Sequence, residues 1–398
     1  MPRLLLPICM LILSACVSAP PPSPSPPGVS YAWVAFDASR VRGSGASGLA
    51  DRARARPLTV EDPVRIASIS KLVVALGAMR LVEQGKLDLD ADVSGALGWR
   101  LRNPAFPDTP ITLRLLLSHR SSIRDDVDYA IPLGGTVRAT LADPKAFDPD
   151  HAPGRFFRYS NLNFPVAATV MEKVTGERFD RLMERLVLDP LGLDACFNWT
   201  TCSDAALARA VVLYAPDGSV IRDDLGGEWP ACPVVQAADG SCDLARYQPG
   251  ENGALFSPQG GLRISARDLA TVGQLLLNRG RHRSAPFLSQ ASLAALTGEA
   301  WRFDGANGAP EDGFYCSYGL AVQRLPVRAP GCRDDLTGGG RGLIGHAGEA
   351  YGLRSGLWVD PKRGVGVAYF AVNNGDAPPP GRSAYRAIEE RLAARLPR

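Results

Sequence analysis

The segment VRIASISKLVVALG, Val64 to Gly77, places two serines just ahead of a lysine where an apolar run begins. Residues three apart share a helix face, and adjacent residues do not. Ser68 therefore faces Lys71, while Ser70 points elsewhere. A serine hydroxyl is a poor nucleophile until a base takes its proton. Lysine is a poor base at its ordinary pKa of about 10.4. Burial in an apolar helix disfavours the ammonium and lowers that value. The positive end of the helix dipole acts in the same direction, and free N–H groups there can receive an oxyanion. The pair could thus attack a carbonyl. Taken alone, it also fits a serine that only caps the helix and a lysine that snorkels.

Two later segments add chemistry. Tyr159-Ser160-Asn161 follows the Pro153-Gly154 turn and precedes a helical stretch. Taken alone, Ser160 or Asn161 could simply cap it. His346-Ala347-Gly348 lies in LIGHAGEAYG, on a predicted strand. The order S-x-x-K, Y-x-N, H-x-G resembles that of the serine β-lactamase-like family: class C β-lactamases, D-alanyl-D-alanine peptidases, D-aminopeptidases and related esterases. ITLRLLLSHRSSI, APGRFFRYSNLNF, VTGERFDRLMERLVLDPLGL, SPQGGLRISARDLA and IGHAGEAYGLRSGLWVDP carry the likeness over Tyr31 to Arg398.

The resemblance implies a role for each matched residue. Ser68 becomes acylated and Lys71 helps to deprotonate it. Tyr159 shares the acid/base work, and Asn161 contacts the substrate amide. His346 and Gly348 lie on the strand lining the cleft. The N–H groups of Ser68 and Glu349 form the oxyanion hole, and His119 is structural. No metal or cofactor is implied. Class C β-lactamases usually carry lysine where this chain has His346, and a neutral histidine is no fixed charge for a β-lactam carboxylate. The expectation is a serine hydrolase acting on an amide or ester: a cell-wall or D-amino-acid peptide, or a small ester. The alternatives are an active β-lactamase and a non-catalytic lipoprotein that binds cell-wall fragments.

The elements that must position these residues read as an α+β chain. YAWVAFD at one end, and SYGLAVQRL, GLRSGLWVDP and GVGVAYFAVNN at the other, read as strands. Helical stretches fall at Leu72–Gln84, Ile111–Ile123 (a short helix entering a loop), Phe164–Gly176, Phe179–Gly192 (broken at Pro190), Ile264–Gly280 and Ser383–Leu396. This predicts an antiparallel sheet built from both chain ends and flanked by helices, with a mostly helical lobe inserted. The expected division is an α/β lobe over 31–75 and 255–398 and a helical lobe over about 76–254. GRGLIG leads into a strand rather than a helix and reads as a turn, not a dinucleotide site.

Residues 1–15 pair Arg3 with an apolar stretch too short to span a bilayer, the pattern of an export signal. Leu13-Ser14-Ala15-Cys16 resembles a bacterial lipobox, which implies lipid attachment at Cys16 and, with Val17 next, the outer membrane facing the periplasm. Residues 16–30 are rich in Pro and Ser and read as a tether. Six further cysteines, Cys196, Cys202, Cys232, Cys242, Cys316 and Cys332, have no C-x-x-C spacing, so disulfides in sequential pairs are expected and zinc is not. A net charge of +3 over 398 residues gives no case for nucleic acid. The expected partners are a small-molecule or peptide substrate and, through the anchor, a membrane.

Overall fold

The computed structural model describes residues 28–375 and 378–397. The export segment, Cys16 and most of the tether lie outside the described residues. Strands β1 (Ser30–Asp37) and β2 (Val41–Ser47) open the chain. Strands β3 (Trp301–Arg302), β4 (Ser317–Tyr318), β5 (Gln323–Leu325), β6 (Leu343–Ala350), β7 (Leu353–Asp360) and β8 (Val365–Val372) come from its last third. Together they form one eight-stranded sheet in the order β3-β4-β5-β6-β7-β8-β1-β2. Each neighbouring pair is antiparallel, with Trp33 opposite Tyr369 and Gly348 opposite Ser355. The two ends of the chain thus meet at β1 and β8, and the class is α+β as expected.

Four helices matter most here: α1 (Ile69–Glu83), α2 (Asn163–Thr175), α3 (Ala266–Leu277) and α4 (Ala387–Ala393). Side chains alternate across a strand, and β8 uses both faces. Val367, Tyr369 and Ala371 join Trp358, Ile388 and Leu392 in a core under α4. Ala368, Phe370 and Val372 join the larger core that holds α1, α2 and α3. Phe36 fills the contact between α3 and the sheet. A Cβ on Gly273 or Gly366 would lie 2.2 or 2.3 Å from its ring, so glycine at both positions makes room for it.

Helix α1 is apolar on nearly every side, and such a helix is buried. Its residues from Ile69 to Met79 are all buried, and Lys71 is carried in with them. Ser265 caps α3 by accepting from the Asp268 N–H, as its position predicts.

Three readings differ from expectation. SYGLAVQRL, read as one strand, turns back on itself as β4 and β5, with Tyr318 opposite Gln323. The helix at Phe179 is not broken by Pro190. It widens into a π turn over Glu184–Leu188 and closes with Asp189–Leu191, which gives the proline ring space where a regular turn would clash. The Ile111–Ile123 stretch is, as expected, a short helix (Leu113–Leu117) entering a loop, in which His119 and Ser122 take positive φ values of 55° and 66°. The terminal helix begins at Ala387 rather than Ser383. Glu390 accepts from the Ser383 N–H and hydroxyl, and Glu389 accepts from the Arg386 N–H, so the preceding residues form a capped turn. The disulfides are Cys196–Cys202, Cys232–Cys242 and Cys316–Cys332, the sequential set. Among the described residues no helix is long and apolar enough to cross a membrane.

Candidate active site

The start of α1 is built to leave one hydroxyl free. Ala67 has φ of 50°, a left-handed value that a non-glycine residue rarely adopts and that turns the chain sharply into the helix. Ser68 occupies the N-cap position, yet its side chain makes no capping bond. The buried Ser70 instead ties the turn together: its Oγ donates to the Ala67 carbonyl at 2.6 Å and accepts from the Leu262 N–H at 3.1 Å. Ser70 is structural, and Ser68 faces the cleft.

Lys71 Nζ lies 3.1 Å from Ser68 Oγ, 2.8 Å from Asn161 Oδ1 and 2.8 Å from the Gln259 carbonyl oxygen. Two of these partners can only accept. A neutral amine has two N–H donors and one lone pair. With both donors spent on Asn161 and Gln259, the lone pair is left for the Ser68 hydroxyl. Burial pushes the Lys71 pKa down to about 7, partly opposed by the charge of Asp125. Near neutrality the amine form is therefore well populated.

Tyr159 stands on the other side of this pair. Its ring is stacked between His119, with centroids 4.2 Å apart, and Tyr315, 4.6 Å apart. Lys71 Nζ lies 4.8 Å from the Tyr159 ring centroid, over its face rather than against the oxygen. Burial raises the phenol pKa well above its ordinary value, and the nearby Ser68 and Tyr315 hydroxyls draw it back only in part. The hydroxyl makes no hydrogen bond of ordinary geometry and remains a protonated donor. The cation that could have stabilised a phenolate is itself depressed toward neutral.

The structure corrects the place of His346. It lies on β6, but its side chain is fully buried and does not line the cleft. Its Nδ1 donates to the Ala347 carbonyl at 2.5 Å, and its Nε2 accepts from the Tyr318 hydroxyl at 2.8 Å. Burial, with repulsion from Lys71, lowers its pKa to about 3. It is a neutral strut behind the site and cannot touch a substrate from there. His119 is also buried; its Nδ1 accepts from the Ser160 N–H at 3.1 Å, and burial holds it neutral.

Gly348 and Glu349 do reach the cleft. A Cβ on Gly348 would lie 2.3 Å from the Ile66 carbonyl oxygen and 3.2 Å from the Ser68 nitrogen. Glycine therefore lets the β6 backbone press against the nucleophile turn. Ser355 Oγ donates to the same Ile66 carbonyl at 2.8 Å and ties β7 to it. The Glu349 carboxylate is ion-paired with Arg354. The cleft has a volume of about 740 Å³. Its walls include Tyr129, Glu311, Tyr315 and Tyr351. The stretch just ahead of Cys316, with Glu311, Asp312, Phe314 and Tyr315, supplies part of the wall, while the Cys316–Cys332 loop itself supplies none. The Cys196–Cys242 stretch supplies none of it and lies behind, where Asn198 accepts from Arg65 and Arg263.

Sequence reasoning missed Asp125. Its carboxylate accepts from the Ser160 hydroxyl at 2.8 Å, the Asn161 N–H at 2.7 Å, the Leu162 N–H at 3.0 Å and Asn161 Nδ2 at 3.0 Å. Asn161 lines the cleft, yet its amide is spent within the protein. Nδ2 donates to Asp125 and, at 3.3 Å, to the Tyr129 hydroxyl, while Oδ1 accepts from Lys71.

Residues 26–393 match the family described as Beta-lactamase. Esterase EstB of Burkholderia gladioli is 33% identical over 170 residues, which cover 38% of this chain and 42% of the esterase. Penicillin-binding protein 4 of Amycolatopsis lactamdurans is 28% identical over 253 residues, covering 63% of this chain and 60% of that protein. Both matches thus span less than two thirds of the relative's length. In fold, the chain is similar to the D-amino acid amidase of Ochrobactrum anthropi solved with L-phenylalanine. The TM-score is 0.64 at 20% identity, over 92% of this chain and 91% of that one.

Proposed function

The chain belongs to the Beta-lactamase family, and on that premise we propose that it is a serine hydrolase that cleaves an amide or ester through an acyl-Ser68 intermediate. One observation carries the reading: Lys71 Nζ sits 3.1 Å from Ser68 Oγ, with its other two partners acceptors only. The Ser68 proton passes to Lys71 as Oγ bonds to the substrate carbonyl carbon. The carbonyl oxygen takes the negative charge and is received by the N–H groups of Ser68 and Glu349. Tyr159, still protonated, gives its proton to the leaving amine or alkoxide and regains one by way of Lys71. Water then hydrolyses the acyl-enzyme. Tyr159→Phe should therefore cost far more on an amide than on a p-nitrophenyl ester, whose leaving group needs no proton. Paired kcat/KM measurements check this.

The substrate class we favour is a small ester or a D-amino-acid or cell-wall peptide, taken into an open cleft with aromatic walls. Relatives described as an esterase and as a penicillin-binding protein support that range. β-Lactam turnover is expected to be slow or absent, because the residue at the lysine position is a buried neutral histidine. We further propose that the protein is exported and lipid-anchored at Cys16. The lipobox-like segment supports this, as do three disulfides, which persist in oxidising compartments. A fluorophosphonate probe tests the central reading. Mass spectrometry should place the adduct on Ser68 and find none in Ser68→Ala; an adduct on Ser70 would contradict it.

A further inference from the structure

We propose that Asp125 is a positioning residue for the acylation step: by fixing which way the Asn161 amide faces, it aims the Lys71 lone pair at Ser68. The inference rests on the acyl-Ser68 reading and deepens it.

Donors and acceptors decide the geometry. A side-chain amide has one end that accepts and one that donates, and the two are nearly the same shape. Nothing in the amide itself decides which end meets Lys71. A carboxylate decides it, because an ionised carboxylate can only accept. Asp125 Oδ2 lies 3.0 Å from Asn161 Nδ2, so the NH2 end turns to Asp125 and Oδ1 turns to Lys71. The Tyr129 hydroxyl, at 3.3 Å from the same nitrogen, can accept or donate and would tolerate either orientation. The carboxylate is itself held by three donors on one short segment: the Ser160 hydroxyl and the N–H groups of Asn161 and Leu162. It cannot rotate away without leaving these N–H groups at the start of α2 unpaired.

Without that constraint the amide could turn over. Its N–H would then face Lys71 and compete with Ser68 for the one lone pair. The amine would also lose an acceptor, and its free N–H would turn toward Ser68. Both effects weaken the base where it is needed. The charge of Asp125 acts as well. Lys71 is faced by Asn161, the Gln259 carbonyl, the rings of Tyr159 and Phe164, and the neutral His119 and His346. None of these groups is anionic, and the carboxylate that offsets the desolvation of the ammonium is Asp125, behind Asn161.

Kinetics of a p-nitrophenyl ester test the proposal with Asp125→Asn, Asn161→Ala and the double variant. Asp125→Asn should lower kcat tenfold or more with KM within about twofold, and should move the acid limb of kcat/KM to lower pH, since a charge favouring the ammonium is gone. In the Asn161→Ala background the same substitution should change the plateau kcat by less than about twofold, because the amide it orients is gone and only its charge effect on the acid limb remains. Multiplying effects in the double variant, or an acid limb that stays in place, would overturn the proposal and leave Asp125 as a helix cap. If Asp125→Asn melts below the assay temperature, Asp125→Glu carries the test. It keeps the acceptor-only group, so its kcat should stay within about tenfold of the parent protein, and a complete loss with the fold intact would overturn the proposal. Residual hydrolysis by Ser68→Ala at the parent rate would instead sink the acyl-Ser68 reading, a separate failure.

Discussion

Lys71→Met is expected to lower kcat/KM for an ester at pH 7 by about 10³-fold or more, in the upper part of the range for loss of a general base. Binding should persist, because the cleft walls are untouched, so the loss should fall on kcat. The same change should stabilise the fold. The native state holds a Lys71 proton only up to about pH 7, while the unfolded chain holds it to the ordinary value of 10.5. Below pH 7 the buried ammonium destabilises the native state to its full extent. Between those two values the unfolded state binds more protons, so stability rises with pH. At about 1.4 kcal/mol per unit, the shift amounts to several kcal/mol. Methionine removes both the cost and the slope. Thermal unfolding from neutral to alkaline pH should therefore show a rising Tm in the parent protein relative to the variant, and a more stable variant at pH 6. A Met variant that is less stable than its parent at pH 6 would mean that the lysine is held charged by a partner.

Gly348→Ala is the second large effect. The new Cβ would meet the Ile66 carbonyl oxygen at 2.3 Å and Ser355 Oγ at 2.4 Å. Ile66 belongs to the backbone that leads into Ser68, so relief must come from β6 or the nucleophile turn moving apart. That displaces the Glu349 N–H from the Ser68 N–H. Loss of one oxyanion donor costs about 10² to 10³ in kcat, and a loss of that size is expected here with the fold retained. Acylation rates with circular dichroism as the fold control check it. Activity within a few-fold of the parent would show that the close approach of β6 does not set the oxyanion site.

Much of this site is legible in sequence because its core is local. Ser68 and Lys71 lie three apart on one helix, so periodicity alone brings them together. The apolar run that buries the lysine is equally visible. The even number of cysteines in the body of the chain points to disulfides, and the expected sequential pairing is the one the fold adopts. What escapes is set by long-range return of the chain. Asp125 sits in a loop with Arg124 and Asp126, where nothing marks one acid from its neighbour. Only the fold carries it to the start of α2. His346 escapes for another reason. A strand's inward and outward faces alternate, and a one-residue shift exchanges them. LIGHAGEA offers too little apolar alternation to read the face, so an inward-facing histidine looks the same as a cleft histidine. Pro190 shows a third limit: a proline marks local conflict, and whether the helix stops or widens is decided by the packing around it.

Pre-steady-state release of p-nitrophenol from an activated ester, followed from about pH 5 to about pH 9, reads the acylation step alone. The rate should rise with pH through a midpoint near 7, where Lys71 loses its proton, and that midpoint should vanish in Lys71→Met. A midpoint in the carboxylate range near about 4, a rate still climbing toward the ordinary lysine value of about 10, or an unchanged midpoint in the Met variant would contradict a neutral Lys71 as the base for Ser68.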